Sequence, residues 1–221
     1  MRGHELRAQL GPGVRAGLPL GLAGLLLGIS FGVVAQPLMG HVAPVVMSAV
    51  VFAGAAQFAA TAVLADGGST VAAIIAGILL NLRFVPMGIA IAPSLSSGGR
   101  RRAAVGQTLV DASWAMAHRG GGRYDIAYMI GATLVQYPAW VLGTVVGVLA
   151  GDVIAHPENL GLDAIFPAFF LALLVNELRD GPSVGAAGIG AALALALTPL
   201  VPPGIPVLAA CAGAALGLAR R

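Results

Sequence analysis

Four polar side chains stand inside long apolar runs, and the chemistry they offer is recognition of a small charged solute. Gln57 lies in VVFAGAAQFAATAVL, Asn81 and Arg83 in IIAGILLNLRFVPMGI, and Asp111 in AAVGQTLVDASWAMAH. A polar group buried without a partner costs roughly 2–7 kcal/mol by transfer estimates, so each of these needs a use. Arg83 comes two residues after Asn81 and three before Pro86, which has no backbone N–H to donate. A guanidinium beside such a break suits a solute carboxylate or a buried acid, and snorkelling to the membrane surface is the competing use. Gln57 follows the small run Gly54-Ala55-Ala56, where a helix can unwind or pack tightly. The plainer reading of Gln57 is an interhelical hydrogen bond, worth about 0.6 kcal/mol in membranes. Ser30-Phe31-Gly32, deep in the first apolar run, could place a hydroxyl and a ring on a cavity, and Phe52 offers a second ring.

These residues are positioned by a chain that reads as an all-α polytopic membrane protein of seven or eight transmembrane helices. Of the 221 residues, 58% are hydrophobic and 10% charged, and the apolar ones come in repeated runs instead of alternating with polar ones. A soluble helical bundle would need a charged face on each helix, which most of these segments lack. All twelve basic residues are arginine. They lie at segment ends, with no basic face interleaved with aromatics, so the net charge of +3 points to membrane topology and away from nucleic acid. Cys211 is the single cysteine, which leaves no intrachain disulfide and no thiolate metal site. The four histidines fall far apart in sequence, and no nucleotide-binding loop or nucleophile elbow is present. The sequence therefore points to no enzyme, no cofactor and no metal.

In chain order, residues 1–15 read as a short basic tail, and Gly17 to Leu38 as a retained first span, too long for a signal-peptide core. Gly17, Gly21, Gly24, Gly28 and Gly32 recur at spacings of three or four, giving one face that a neighbouring helix can approach closely. A second span is expected over about 44–65, a turn at Asp66-Gly67-Gly68, and a third span over about 69–93. Residues 103–118 are short for a crossing and carry Gln107, Thr108, Asp111 and Ser113. They are an interfacial helix, a re-entrant segment or a short protected span. A further span is expected over about 126–150, then an acidic loop, a helix started or kinked by Pro167, and two apolar segments over about 183–200 and 205–219.

Setting DGGSTVAAII (66–75) against DGPSVGAAGI (180–189) aligns six identities, and Gly28/Gly32 falls on Gly143/Gly147 with one residue of slip. This suggests an internal duplication of three to four helices, with domains 1–15 (tail), 16–118 (first repeat) and 119–221 (second repeat). Arginine placement does not orient the first half. If 103–118 crosses, the halves run parallel, and if it lies flat they are inverted, with the same arginine balance either way.

FAGAAQF (52–58), NLRF (81–84), LVDASWAMA (109–117) and the FPAFF segment (166–170) occur in the order of a known family. Together they resemble the AzlC-type branched-chain amino acid permeases. The resemblance implies export of leucine, isoleucine, valine or methionine across the cytoplasmic membrane, commonly with a small AzlD-type membrane subunit. A homo-oligomer is a further option. Two departures matter: Phe84 stands where the family usually has histidine, and Ala112 where a second acid often follows Asp111. On this reading Arg83, or backbone donors near Gly54, meets the substrate carboxylate. Asp111, Gln57 or backbone carbonyls meet its ammonium, and Phe31 and Phe52 meet its aliphatic side chain. Asn81 belongs to the same candidate set. A non-transporting membrane scaffold or sensor that docks a partner through its glycine faces is the alternative function.

Overall fold

The computed structural model describes residues 3–65, 67–95, 98–151 and 181–201, with isolated positions between 171 and 210. Expectations resting on Asp66, the acidic loop 152–163, the Pro167 segment and Cys211 lie outside the described residues. The described chain is helical: α1 Gly3–Met39, α2 Val42–Val50, α3 Gly54–Ala65, α4 Thr70–Asn81, α5 Phe84–Ile91, α6 Gly99–Gly106, α7 Asp111–Ala117, α8 Ile126–Gly151 and α9 Gly181–Leu197. A 3-10 turn, Ala92–Ser94, follows α5. Among the described residues three runs are long and apolar enough to cross a bilayer: Leu10–Met39, Thr70–Ser94 and Ile126–Gly151. Length and apolar composition are the two requirements for a crossing of about 30 Å.

The chain forms two compact units, one of residues 1–53 and 84–162, the other of 54–83 and 163–221. The first is organised by α1 and α8, which lie against each other through glycine. A methyl group on Gly17 would come within 2.7 Å of the Ala132 carbonyl oxygen, and one on Gly32 within 2.7 Å of the Val148 amide nitrogen. From the other side, methyls on Gly143 and Gly147 would run into the carbonyls of Leu25 and Ile29. Gly13 faces Tyr128, Gly17 faces Ala132, Gly28 faces Gly143 and Gly32 faces Gly147, so the two helices run parallel. Backbones this close gain dispersion along the whole crossing, which is what drives helix association where lipid is as apolar as the side chains. The expected glycine face is thus matched by a second one on α8. α1 also begins earlier than expected, at Gly3, inside the segment read as a tail. The stretch ELRAQL is made of good helix formers, and Gly13 already rests on Tyr128, so the helix continues through it.

The expected second span is not one helix. α2 ends at Val50, Phe52 takes a left-handed φ of 43°, and α3 starts afresh at Gly54. A non-glycine residue in that conformation cannot continue a right-handed helix. The expected third span is interrupted too, at Leu82-Arg83 between α4 and α5. There the physical reason is in the sequence: Pro86 is the residue whose N–H would have bonded the Leu82 carbonyl. The stretch 99–117 is two short helices separated by residues 107–110.

In the second unit α3 packs on α4, where Gly77 lies 3.6 Å, at its would-be Cβ, from the Ala56 carbonyl oxygen. The connection is a tight turn through Gly67 at φ 78°, closed by the Gly68 N–H donating to Val63 O at 2.8 Å. Ser69 then caps α4 by accepting the Ala72 N–H at 3.2 Å.

Candidate functional site

Breaking a helix in an apolar medium frees carbonyls that must find donors, and in the first unit α8 supplies them. The Tyr137 hydroxyl donates to Ala49 O at 2.8 Å, at the end of α2. The Thr133 hydroxyl donates to Thr108 O at 2.8 Å, in the break between α6 and α7, and meets the Ser113 hydroxyl at 2.9 Å. Ser48 on α2 shares a hydrogen bond of 2.8 Å with Thr144 and accepts the Trp140 indole N–H at 3.2 Å. Thr133, Tyr137, Trp140 and Thr144 are spaced four, three and four apart, so they form one stripe down α8. The two breaks also touch directly, since the Gln107 side-chain amide donates to Val50 O at 3.4 Å.

The same stripe organises the expected aromatic residues. Phe31 is fully buried and stacks on Trp140 with ring centroids 6.4 Å apart, while Phe52 meets Tyr137 edge-on at 4.9 Å. Asp111 is the first residue of α7, directly after the 107–110 break. Its carboxylate therefore stands at the positive end of a short helix. Phe31, Phe52 and Asp111 are thus all tied to α8 or to segments bonded to it.

The remaining expected residues belong to the second unit. Gly54 opens α3 and Gln57 follows within its first turn, wholly buried. Asn81 closes α4 and Arg83 occupies the α4–α5 break. The Asn81 side-chain oxygen is buried and accepts no hydrogen bond among the described residues. In the first unit the Trp114 indole N–H is likewise buried without a protein acceptor. Such groups are rare in folded chains and mark places that water or a ligand can satisfy. The chain leaves the first unit after Ala53 and re-enters it at Phe84, and each of these two transitions falls at a helix break.

At the start of α8 the surroundings are those of a surface turn. Asp125 caps the helix by accepting the Tyr128 N–H at 3.0 Å and lies 3.5 Å from Arg119, whose guanidinium stacks over the Tyr128 ring at 4.5 Å. Tyr124 packs against Trp114 and His118, and burial pushes its phenol above the usual range, so it stays neutral.

Sequence reasoning missed Ser48, Tyr137 and Thr133, the partner of Ser113. The signal that could have found Thr133 and Tyr137 is their spacing on α8, which puts these hydrogen-bonding side chains of that helix's centre on one side.

The family whose description is "AzlC protein" matches residues 19–154. The chain is 32% identical to an uncharacterized membrane protein of Archaeoglobus fulgidus, across 92% of this chain and 91% of that one. It is 30% identical to the inner membrane protein YgaZ of Escherichia coli, across 81% and 78%. It is 23% identical to the branched-chain amino acid transport protein AzlC of Bacillus subtilis, across 72% and 64%. No solved structure matches.

Proposed function

The chain belongs to the AzlC family of membrane proteins, and we propose that it is a secondary transporter exporting branched-chain or related small apolar amino acids across the cytoplasmic membrane. The observation that carries this is the pair of helix breaks bonded to the polar stripe of α8, which holds backbone and side-chain polar groups halfway along a membrane-length helix. Discontinuous helices of this kind supply solute and ion sites in transporters. The similarity to a protein named for branched-chain amino acid transport and to one named for the inner membrane supports substrate class and location.

A zwitterion must have both poles satisfied before it leaves water. In this proposal Arg83, or the amide donors that open α3 at Gly54, takes the carboxylate. Asp111, Gln57 and the buried acceptor of Asn81 are the candidates for the ammonium, and Phe31 and Phe52 flank the aliphatic side chain. Asp111 can also carry a coupling proton. The scaffold alternative loses its main support, because the glycine face of α1 is filled by α8 of the same chain. A small AzlD-type membrane subunit completes the transporter in this reading.

Cells that take up a leucine-containing dipeptide and hydrolyse it inside provide the test. Expressing the chain with its small subunit should lower intracellular leucine several-fold against a vector control. Unchanged intracellular leucine, valine and methionine with both proteins present in the membrane would sink the proposal.

A further inference from the structure

The segment 99–117 has too little length in each arm to cross, and both of its ends lie at the same end of α8. α6 has 8 residues and α7 has 7, or roughly 10–12 Å each at about 1.5 Å per residue, against about 30 Å of hydrocarbon. Just before α6, the Ser94 hydroxyl accepts the Tyr124 N–H at 3.1 Å, and the Arg102 guanidinium donates back to Ala92 O at 3.1 Å. Just after α7, the Asp125 N–H donates to Ala117 O at 2.9 Å. Tyr124 and Asp125 immediately precede α8. Between these two anchorages the chain reaches inward only as far as Thr133, seven residues into α8, where Thr108 O is bonded.

The segment 42–53 arrives from the opposite end. Gly151 at the end of α8 adjoins Gln36 near the end of α1, and α2 then descends past Thr144 to Tyr137. The two partial crossings meet where Gln107 bonds Val50 O. Because α1 and α8 are parallel, the start of α1, residue 94 and residues 118–125 all lie at one face of the membrane.

We propose that residues 99–117 are a re-entrant hairpin that enters from and returns to the cytoplasmic side, meeting at its tip a half-crossing that enters from outside. The sidedness follows from arginine. With the hairpin re-entrant, every arginine in the described residues ahead of α8 except Arg83 falls on one face: Arg7 and Arg15 of the N-terminal stretch, Arg100 to Arg102, Arg119 and Arg123. A crossing segment would instead separate Arg100–Arg102 from Arg119 and Arg123. The positive-inside rule, which did not distinguish the alternatives on sequence alone, then favours the re-entrant arrangement with that face in the cytoplasm. This inference rests on the membrane reading and is independent of which solute is carried.

The test uses full-length protein in cells, with Cys211→Ser as background and single cysteines at Arg101, Arg123 and His41, all exposed positions. A membrane-impermeant maleimide is applied to intact and to permeabilised cells. Arg101→Cys and Arg123→Cys should both resist labelling until permeabilisation, while His41→Cys labels in intact cells. Labelling of Arg101→Cys but not Arg123→Cys in intact cells would mean that 99–117 crosses, and labelling of both would reverse the orientation. Either result overturns the proposal. Arg100→Cys replaces Arg101→Cys should the latter reach the membrane poorly.

Discussion

Tyr137 and Trp140 lie less than a turn apart on α8, and each holds both a phenylalanine ring and a hydrogen bond to α2. The two phenylalanines expected to meet an aliphatic side chain are therefore held by residues whose polar atoms are already committed to α2, Tyr137 to the Ala49 carbonyl at its end and Trp140 to the Ser48 hydroxyl. Charge is the other half of the proposed site, and it yields the sharpest prediction at this scale. Arg83→Ala and Asp111→Asn should each lower transport about ten-fold or more at normal protein yield, as expected when a charge-assisted hydrogen bond of about 1.5–3 kcal/mol is lost. If the two groups instead hold the fold by pairing with each other, yield in the membrane falls along with transport. The Ser48–Thr144 pair is a different matter, since it joins two helices. A double-mutant cycle with Ser48→Ala and Thr144→Val should give a coupling of about 0.6 kcal/mol in thermal or denaturant unfolding, and a coupling near zero would remove it as a tie between α2 and α8. The ionic candidates were legible in the sequence because charge inside an apolar run is conspicuous. Ser48, Thr133 and Thr144 were not, because a hydroxyl in a membrane helix satisfies itself on its own backbone at little cost, as Thr144 also does to Trp140 O at 3.0 Å.

Elements differed in how much of them the sequence revealed. The glycine spacing on α1 showed that a helix packs there, since glycine lowers helix stability and needs a reason. It could not show that the partner is α8, though Gly28/Gly32 and Gly143/Gly147, which align as repeat equivalents, prove to meet face to face. Gly147→Leu should destabilise the crossing by about 1–3 kcal/mol through overpacking against Ile29, whereas Gly24→Ala, whose methyl would sit 3.7 Å from Gln136 O, should be tolerated. Equal melting temperatures for the two variants would contradict the packing. The break at 82–83 was foreshadowed by Pro86 and the break at 51–53 by the small run that starts at Gly54, though its centre has no proline or glycine. Phe52 takes its positive φ with its ring edge-on to Tyr137, a tertiary contact invisible in local sequence. It follows that Phe52→Gly, which relieves the backbone, should melt above Phe52→Ala, which does not. About 1 kcal/mol of relief corresponds to roughly 2–4 °C in a chain of this size. The reverse order would mean that the left-handed turn is not a feature of the folded protein.

For the molecule as a whole, composition and hydropathy gave the class, and the family comparison agrees with it. The arrangement of crossings was less legible, because hydropathy counts apolar residues and does not distinguish a helix that traverses the bilayer from one that turns back halfway. Residues 99–117 are the clearest case, since it takes the anchoring of both ends beside Tyr124 to separate the alternatives. The central claim remains movement of a branched-chain amino acid outward, and its direct measurement is efflux of preloaded labelled leucine from cells carrying the chain and a small partner subunit. The account predicts efflux faster than from cells lacking the chain and reduced by unlabelled isoleucine or valine loaded alongside. Efflux indistinguishable from the control, with both proteins folded and in the membrane, would contradict it.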